Sequence, residues 1–107
     1  MTINQGDIYW VSSHSDYIHP HVVIQDDNHT VHLCALTTNA KQAALPGNIL
    51  LETGEANLPK ASIVVVSQVS TVEKAQLGEY IGTLSKQRID QILAGMRFIQ
   101  HMIEHRG

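Results

Sequence analysis

Apolar and polar positions follow a strand-like pattern through the first three quarters of the chain, and then the period changes. Gly6-Asp7-Ile8-Tyr9-Trp10-Val11-Ser12-Ser13 is rich in strand formers and opens after a glycine, which predicts a first strand. His14 to Ile18 is a polar link, and Pro20 sets the entry to a second strand, His21-Val22-Val23-Ile24-Gln25, that starts at an edge or just past the proline. Asp26-Asp27-Asn28-His29 is a turn cluster leading into a third strand from Thr30 to Thr37, so this pair reads as a hairpin. Asn39 to Pro46 is a loop containing Lys41. Gly47 to Glu52 is a fourth strand, and Thr53 to Lys60 a second loop. Ala61 to Val69 carries the continuous run Ile63-Val64-Val65-Val66, expected of a central strand covered on both faces. Thr71 to Glu79 reads as a polar turn before a last strand, Tyr80-Ile81-Gly82-Thr83-Leu84.

From Ser85 the apolar residues recur at three- and four-residue steps: Ile89, Ile92, Leu93, Met96, Ile99 and Ile103. That period predicts an amphipathic helix of roughly 20 residues, with Ser85 as its N-cap and Gly107 as its stop. About six short strands followed by one helix define a mainly β fold, a small barrel with a C-terminal α-helix packed on it.

Composition narrows the class further. A chain of 107 residues, 43% hydrophobic and 16% charged, can bury a core and is neither disordered nor a coiled coil. Its length suits a single domain spanning residues 1–107. Seven basic against ten acidic residues give a net charge of −3, so a broad basic face for duplex nucleic acid is not expected, although a local pocket is compatible. The single Cys34 excludes a disulfide within the chain and lies in the apolar run Val31 to Leu36, where it reads as a small buried hydrophobe. The polar N-terminus does not resemble a secretory signal, and the longest strictly aliphatic stretch, Ile63 to Val66, is too short to cross a bilayer. A cytoplasmic location without membrane contact is the default expectation.

Two kinds of chemistry suggest themselves. Seven histidines raise a metal reading: His19 and His21 alternate on one strand face with His14 nearby, and His101 and His105 sit at i, i+4 on the helix. Neither group has the ligand spacing of a known metal site, and the helical pair reads as a solvated helix end, so no metal is assigned. Thr37-Thr38-Asn39-Ala40-Lys41 follows a strand directly and puts two hydroxyls, an amide and a cation at one rim of the barrel. Taken alone that is also ordinary strand-end turn chemistry.

Several segments, in register along almost the whole chain, resemble the PemK/MazF toxin family. They are Gly6 to Val11, His19-Pro20-His21-Val22-Val23-Ile24-Gln25-Asp26-Asp27, Ala35-Leu36-Thr37-Thr38-Asn39, Pro46-Gly47-Asn48, Ser67-Gln68-Val69 and Ile81-Gly82-Thr83-Leu84-Ser85. The resemblance implies an SH3-like small barrel (CcdB/MazF-like) with a C-terminal helix, forming a homodimer. It also implies the toxin of a type II toxin–antitoxin system, a metal-independent endoribonuclease that cuts single-stranded RNA at short sequences without a cofactor. A cognate antitoxin protein would silence it, and DNA would be contacted through the antitoxin complex. The family's usual arginine before the proline of the second strand is His19 here, as in a branch reading His-Pro. The hydroxyl residue ending the third strand is Thr37, and the glutamine after the fifth is Gln68. His19 and Thr37 are thereby the implied catalytic residues, with Asn39, Lys41 and Gln68 as RNA-binding residues. The turn at Asp26 to His29 and the link at Ser13 to Ile18 are shorter than the family's usual loops.

Metal-free RNA cleavage needs a base for the 2′-hydroxyl proton, an acid for the leaving 5′-oxygen and donors to the phosphate oxygens. A histidine with an ordinary value near 6.5 is only about one quarter protonated at pH 7, a weaker clamp than arginine but a better proton shuttle. His19 as acid or base with Thr37 donating to phosphate satisfies that chemistry. The alternative is a catalytically inactive barrel that holds antitoxin or RNA without cutting.

Overall fold

The computed structural model describes residues 2–12 and 18–104. The link from Ser13 to Tyr17, with His14, and the helix end at His105 to Gly107 lie outside the described residues. Six antiparallel strands form one sheet: β1 (Asp7–Ser12), β2 (Ile18–Asp26), β3 (Thr30–Thr37), β4 (Ile49–Leu51), β5 (Ser62–Glu73) and β6 (Leu77–Thr83), followed by one helix, α1 (Lys86–Glu104). The strand order is β4-β5-β3-β2-β1-β6. The mainly β architecture with a C-terminal helix is therefore the one the periodicity predicts.

The differences are instructive. Pro20 lies inside β2, opposite Trp10, rather than before the strand. It is tolerated because β2 pairs with β3 only from His21 onward, so the missing amide hydrogen faces no neighbour. The expected polar turn from Thr71 to Glu79 is instead the end of β5, a single 3-10 turn at Lys74–Gln76 and the start of β6. Its polar side chains are solvent-facing residues of strands whose backbone pairs with β3 and β1. At the β2–β3 turn, Asn28 takes a left-handed φ of 72°, which its short amide side chain tolerates, while Asp26 accepts its backbone N–H.

The sheet separates two apolar clusters. The larger contains Ile8, Val22, Cys34, Leu36, Leu51, Val64, Val66 and Ile92, and α1 lies on it through Ile89, Ile92, Met96 and Ile99. The smaller, of Ile3, Tyr9, Val11, Val23, Val31 and Leu33, occupies the opposite face. Ser85 caps α1 as expected, its hydroxyl accepting the Arg88 N–H at 3.2 Å. Leu93 is half-buried against β2, whereas Ile103, counted among the core positions by its spacing, is 66% exposed and lies beyond Ile99, the last residue of α1 packed against the core cluster.

The two edge strands are bridged by the loop after β4. There Asn57 donates its side-chain amide to the Ile81 carbonyl of β6 at 3.1 Å, which covers an otherwise unpaired edge. Arg88 of α1 clasps the same loop, reaching the Glu55 carboxylate through Nε at 2.6 Å and Nη2 at 3.2 Å. The Arg88 hydrogen bonds hold the Glu55 carboxyl below the ordinary glutamate range, against a weaker opposing push from burial. Since the folded value is the depressed one, this pair stabilises the fold above the ordinary glutamate value of about 4.3 and loses its effect as pH falls through the folded value. Glu55→Gln should cost about 1 kcal/mol at pH 7, and the difference in thermal midpoint should shrink as pH falls below the ordinary glutamate value and vanish below the depressed folded one. A difference that persisted at low pH would show that packing, not charge, ties the loop to the helix.

Candidate active-site cleft

Among the described residues three polar side chains are buried: Asp7, His21 and Ser62. Two are matched by neighbouring groups. The Asp7 carboxylate accepts the Asn4 N–H at 2.8 Å and the Thr83 hydroxyl at 2.7 Å, joining β1 to β6, and Ser62 donates to the Lys60 carbonyl. His21 differs. Its Nδ1 faces the His19 carbonyl at 3.0 Å, and its ring lines a cleft.

That cleft, about 410 Å³, is walled by His19 and His21 of β2, Ala35 to Thr37 of β3, and Gln68 to Ser70 of β5. Its size is in the range of small-ligand sites. The alternation of side chains explains the assembly. His19 and His21 lie two apart on one face of β2, and His21 pairs with Ala35, so Ala35 and Thr37 look to the same side from β3. Gln68 arrives by an irregularity. Between the pairs Cys34–Val69 and Leu36–Val64 there is one residue on β3 and four on β5, so β5 bulges from Val65 to Gln68 over the cleft.

The bulge leaves backbone groups without ladder partners, and two side chains supply them. The Cys34 thiol donates to the Val65 carbonyl at 3.0 Å, and the Asn48 side-chain oxygen accepts the Val66 N–H at 3.1 Å. Cys34 is fully buried, and burial pushes its thiol up to about 12, so it is an inert packing group as its surroundings in the sequence suggest. Asn48 also donates to the Gln42 carbonyl at 2.8 Å, tying the bulge to the 3-10 turn Ala40–Ala44.

His19, Thr37 and Gln68 therefore meet in one cleft. Asn39 and Lys41 lie beside it and line no part of it. The Asn39 N–H donates to the Thr37 hydroxyl oxygen at 3.2 Å, and the Asn39 side chain accepts the Lys41 N–H at 3.1 Å, capping the 3-10 turn. Thr37 keeps its hydroxyl hydrogen for another acceptor. Both Asn39 and Lys41 are exposed, and among the described residues the walls of the cleft hold no arginine or lysine. From sequence, His21 stands out only beside His19 and His14 in a weighed metal group and within a segment resembling the toxin family, and neither Ser70 nor Asn48 stands out as part of this site. The His-Pro-His alternation was the available signal for His21. Nothing local marks Asn48, whose role depends on a contact 18 residues away.

The chemistry open to this cleft is proton transfer and hydrogen bonding to a polar ligand. Burial holds His21 below the ordinary histidine value, outweighing the opposite effect of its bond to the His19 carbonyl, and the adjacent His19 ring pushes in the same direction as burial. Among the described residues no three histidine, cysteine or carboxylate side chains cluster as a metal would need. A second cleft of about 460 Å³ beside α1 suits an anion poorly, since it holds Glu52 and Glu55 and its Arg88 is engaged by Glu55.

A fold of this topology has counterparts among known proteins. Residues 4–99 match the PemK-like, MazF-like toxin of type II toxin–antitoxin systems, and the chain belongs to that family. It is 29% identical over 109 residues to endoribonuclease MazF6 of Mycobacterium tuberculosis, covering 91% of this chain and 96% of that one. Against endoribonuclease EndoA of Bacillus subtilis the identity is 24% over 103 residues, covering 86% and 89%. Among solved structures, a mycobacterial endoribonuclease in complex with its cognate antitoxin superposes with a TM-score of 0.79 at 16% identity, covering 94% of this chain and 97% of that one. MazF from Deinococcus radiodurans gives 0.74 at 14% identity, covering 95% and 99%. The fold is that of the MazF toxins. Among the described residues no helix is long and apolar enough to cross a membrane.

Proposed function

We propose that this protein is the toxin of a type II toxin–antitoxin pair and acts as a metal-independent endoribonuclease on single-stranded RNA. The observation that carries the reading is the convergence of His19, Thr37 and Gln68, from three different strands, on one cleft in a member of this family. His19 exchanges a proton with the reacting RNA, and Thr37 donates its hydroxyl to a non-bridging phosphate oxygen. Gln68 inside the cleft, with Asn39 and Lys41 along its edge, contacts the flanking nucleotides, Lys41 supplying the charge that the walls lack. The names of the relatives, endoribonucleases over most of this chain's length, favour cutting over a barrel that only binds.

Residues 1–107 act as one domain in the cytoplasm, and two copies pair. The apolar side chains left in solvent, including Ile18, Val69, Phe98, Met102 and Ile103, support that pairing, because a twofold contact would cover such surface. An antitoxin protein binds this chain, a reading supported by the mycobacterial counterpart solved in complex with its cognate antitoxin, and docking over or beside the cleft would make antitoxin and RNA compete.

The test is incubation of the purified protein with a long RNA in EDTA. Discrete fragments ending in 2′,3′-cyclic phosphate are expected, and addition of the antitoxin encoded beside it should stop their formation. Intact RNA under these conditions would turn the assignment toward the binding module.

A further inference from the structure

We propose that His21 is the general base of the cleavage reaction, accepting the 2′-hydroxyl proton at Nε2, while His19 protonates the leaving 5′-oxygen. This rests on the cleft being the RNA-cleaving site and divides between two residues the acid–base work that the family resemblance places on one position.

The tautomer follows from the strand backbone. His21 Nδ1 faces the carbonyl of His19, and a carbonyl only accepts, so Nδ1 carries the hydrogen and Nε2 bears the lone pair. No other hydrogen bond holds the ring. Among the described residues no buried side-chain nitrogen or oxygen lacks a partner. Nε2 therefore touches the solvent of the cleft although the residue is only 8% exposed. A base must be unprotonated when substrate arrives, and burial favours the neutral form of this ring. The remaining wall groups are poor bases: Thr37 and Ser70 carry hydroxyls and Gln68 an amide.

His19 stands two residues away on the same face, about 7 Å along an extended strand. In-line displacement needs a proton acceptor on one side of the phosphorus and a donor on the other, each within hydrogen-bond reach of about 3 Å. Two imidazoles at this spacing can flank one phosphate. The 2′-hydroxyl proton passes to His21 Nε2, and the 2′-oxygen bonds to phosphorus. The P–O5′ bond breaks as its oxygen takes a proton from the His19 imidazolium. The products are a 2′,3′-cyclic phosphate and a 5′-hydroxyl. His21 leaves protonated and His19 neutral, and exchange with water restores both, so no metal or redox partner enters the balance.

Among the described residues the groups able to bias this titration are few. On β2 it is His19, and on β1 it is Tyr9, the register partner of His21. The facing residues of β3 and β5 carry no charge.

The test is the pH profile of kcat/KM for the parent protein and His21→Gln, on one RNA in EDTA. Glutamine can still donate to the His19 carbonyl but does not titrate. The parent rate should fall on the acid side, below the ordinary histidine value, as His21 takes up a proton. His21→Gln should cleave about 10²-fold or more slower and lack that limb, while binding a 2′-O-methyl RNA as tightly as the parent. Equal rates and profiles in the two proteins would overturn the assignment of His21 and leave the cleft's function standing. A parent that fails to cut at all would overturn the function itself. Should the variant fail to fold, nitrogen NMR of the parent decides. A neutral His21 ring protonated at Nδ1, with Nε2 perturbed by 2′-O-methyl RNA, is expected, and an Nε2–H ring or an unperturbed one would sink the proposal.

Discussion

His19→Ala should slow RNA cleavage by about 10²-fold or more while leaving the thermal midpoint essentially where it was. The expectation joins two observations. The His19 side chain is exposed at the mouth of the cleft, so little packing is lost with it. The bond that orients His21 uses the His19 backbone carbonyl, which alanine retains. A fall in activity therefore reports lost chemistry rather than a collapsed site. His19→Arg separates the two services a cation can give there. Arginine holds phosphate bidentately but stays protonated, so retained activity would mean that the side chain chiefly clamps phosphate. Lost activity with RNA binding equal or tighter would mean that it moves a proton. Thr37→Val tests the remaining partner, since it keeps the shape and removes a phosphate donor, and a comparable loss is expected. If His19→Ala cuts as fast as the parent, catalysis does not take place in this cleft.

Gly95→Ala should destabilise the protein substantially, although local propensity gives it the opposite sign. In an exposed helix interior, alanine in place of glycine stabilises by about 1 kcal/mol. Here the added methyl group would stand 2.2 Å from the Gly47 carbonyl oxygen. That contact is with backbone rather than with the end of a flexible side chain, so α1 or the loop before β4 must move. Such overpacking costs about 1–3 kcal/mol or more, which exceeds the propensity gain. The thermal midpoint should fall by several degrees, at about 4–8 °C per kcal/mol for a domain near this size. Activity should fall too, because Gly47 precedes Asn48, whose side chain braces the bulge that carries Gln68. Gly54→Ala is the control, since no atom lies within 4 Å of its added carbon and only its φ of 86° is strained. A Gly95→Ala protein as stable as the parent would mean that the helix does not depend on this close approach.

The periodic parts of the sequence determined the elements themselves. The three- and four-residue steps from Ile89 to Ile99, with Ser85 ahead of them, specified α1 and its cap, because a helix's buried stripe is written into its own spacing. The turn residues Asp26 to His29 specified the β2–β3 hairpin, and the surroundings of Cys34 foretold its burial. His19, Thr37 and Gln68 were legible as candidates through the resemblance to a known family rather than through any local rule.

Tertiary structure decided what depends on contacts between distant segments. Polar residues from Thr71 to Glu79 read as a turn because local pattern records exposure, whereas pairing with β3 and β1 makes most of them strand. Ile103 has the period of a core residue, but the core contact of α1 ends at Ile99. His21 and its neighbour looked alike as letters two positions apart. Only the packing of β2 between β1 and β3 buried one ring, exposed the other and turned a backbone carbonyl toward Nδ1. The bulge that brings Gln68 to them exists because Cys34 and Asn48, far apart in the chain, satisfy the backbone groups it frees. Periodicity encodes which face of an element is apolar, whereas a cleft is encoded in register, bulges and hydrogen bonds between strands, and these form only when the sheet closes on its core.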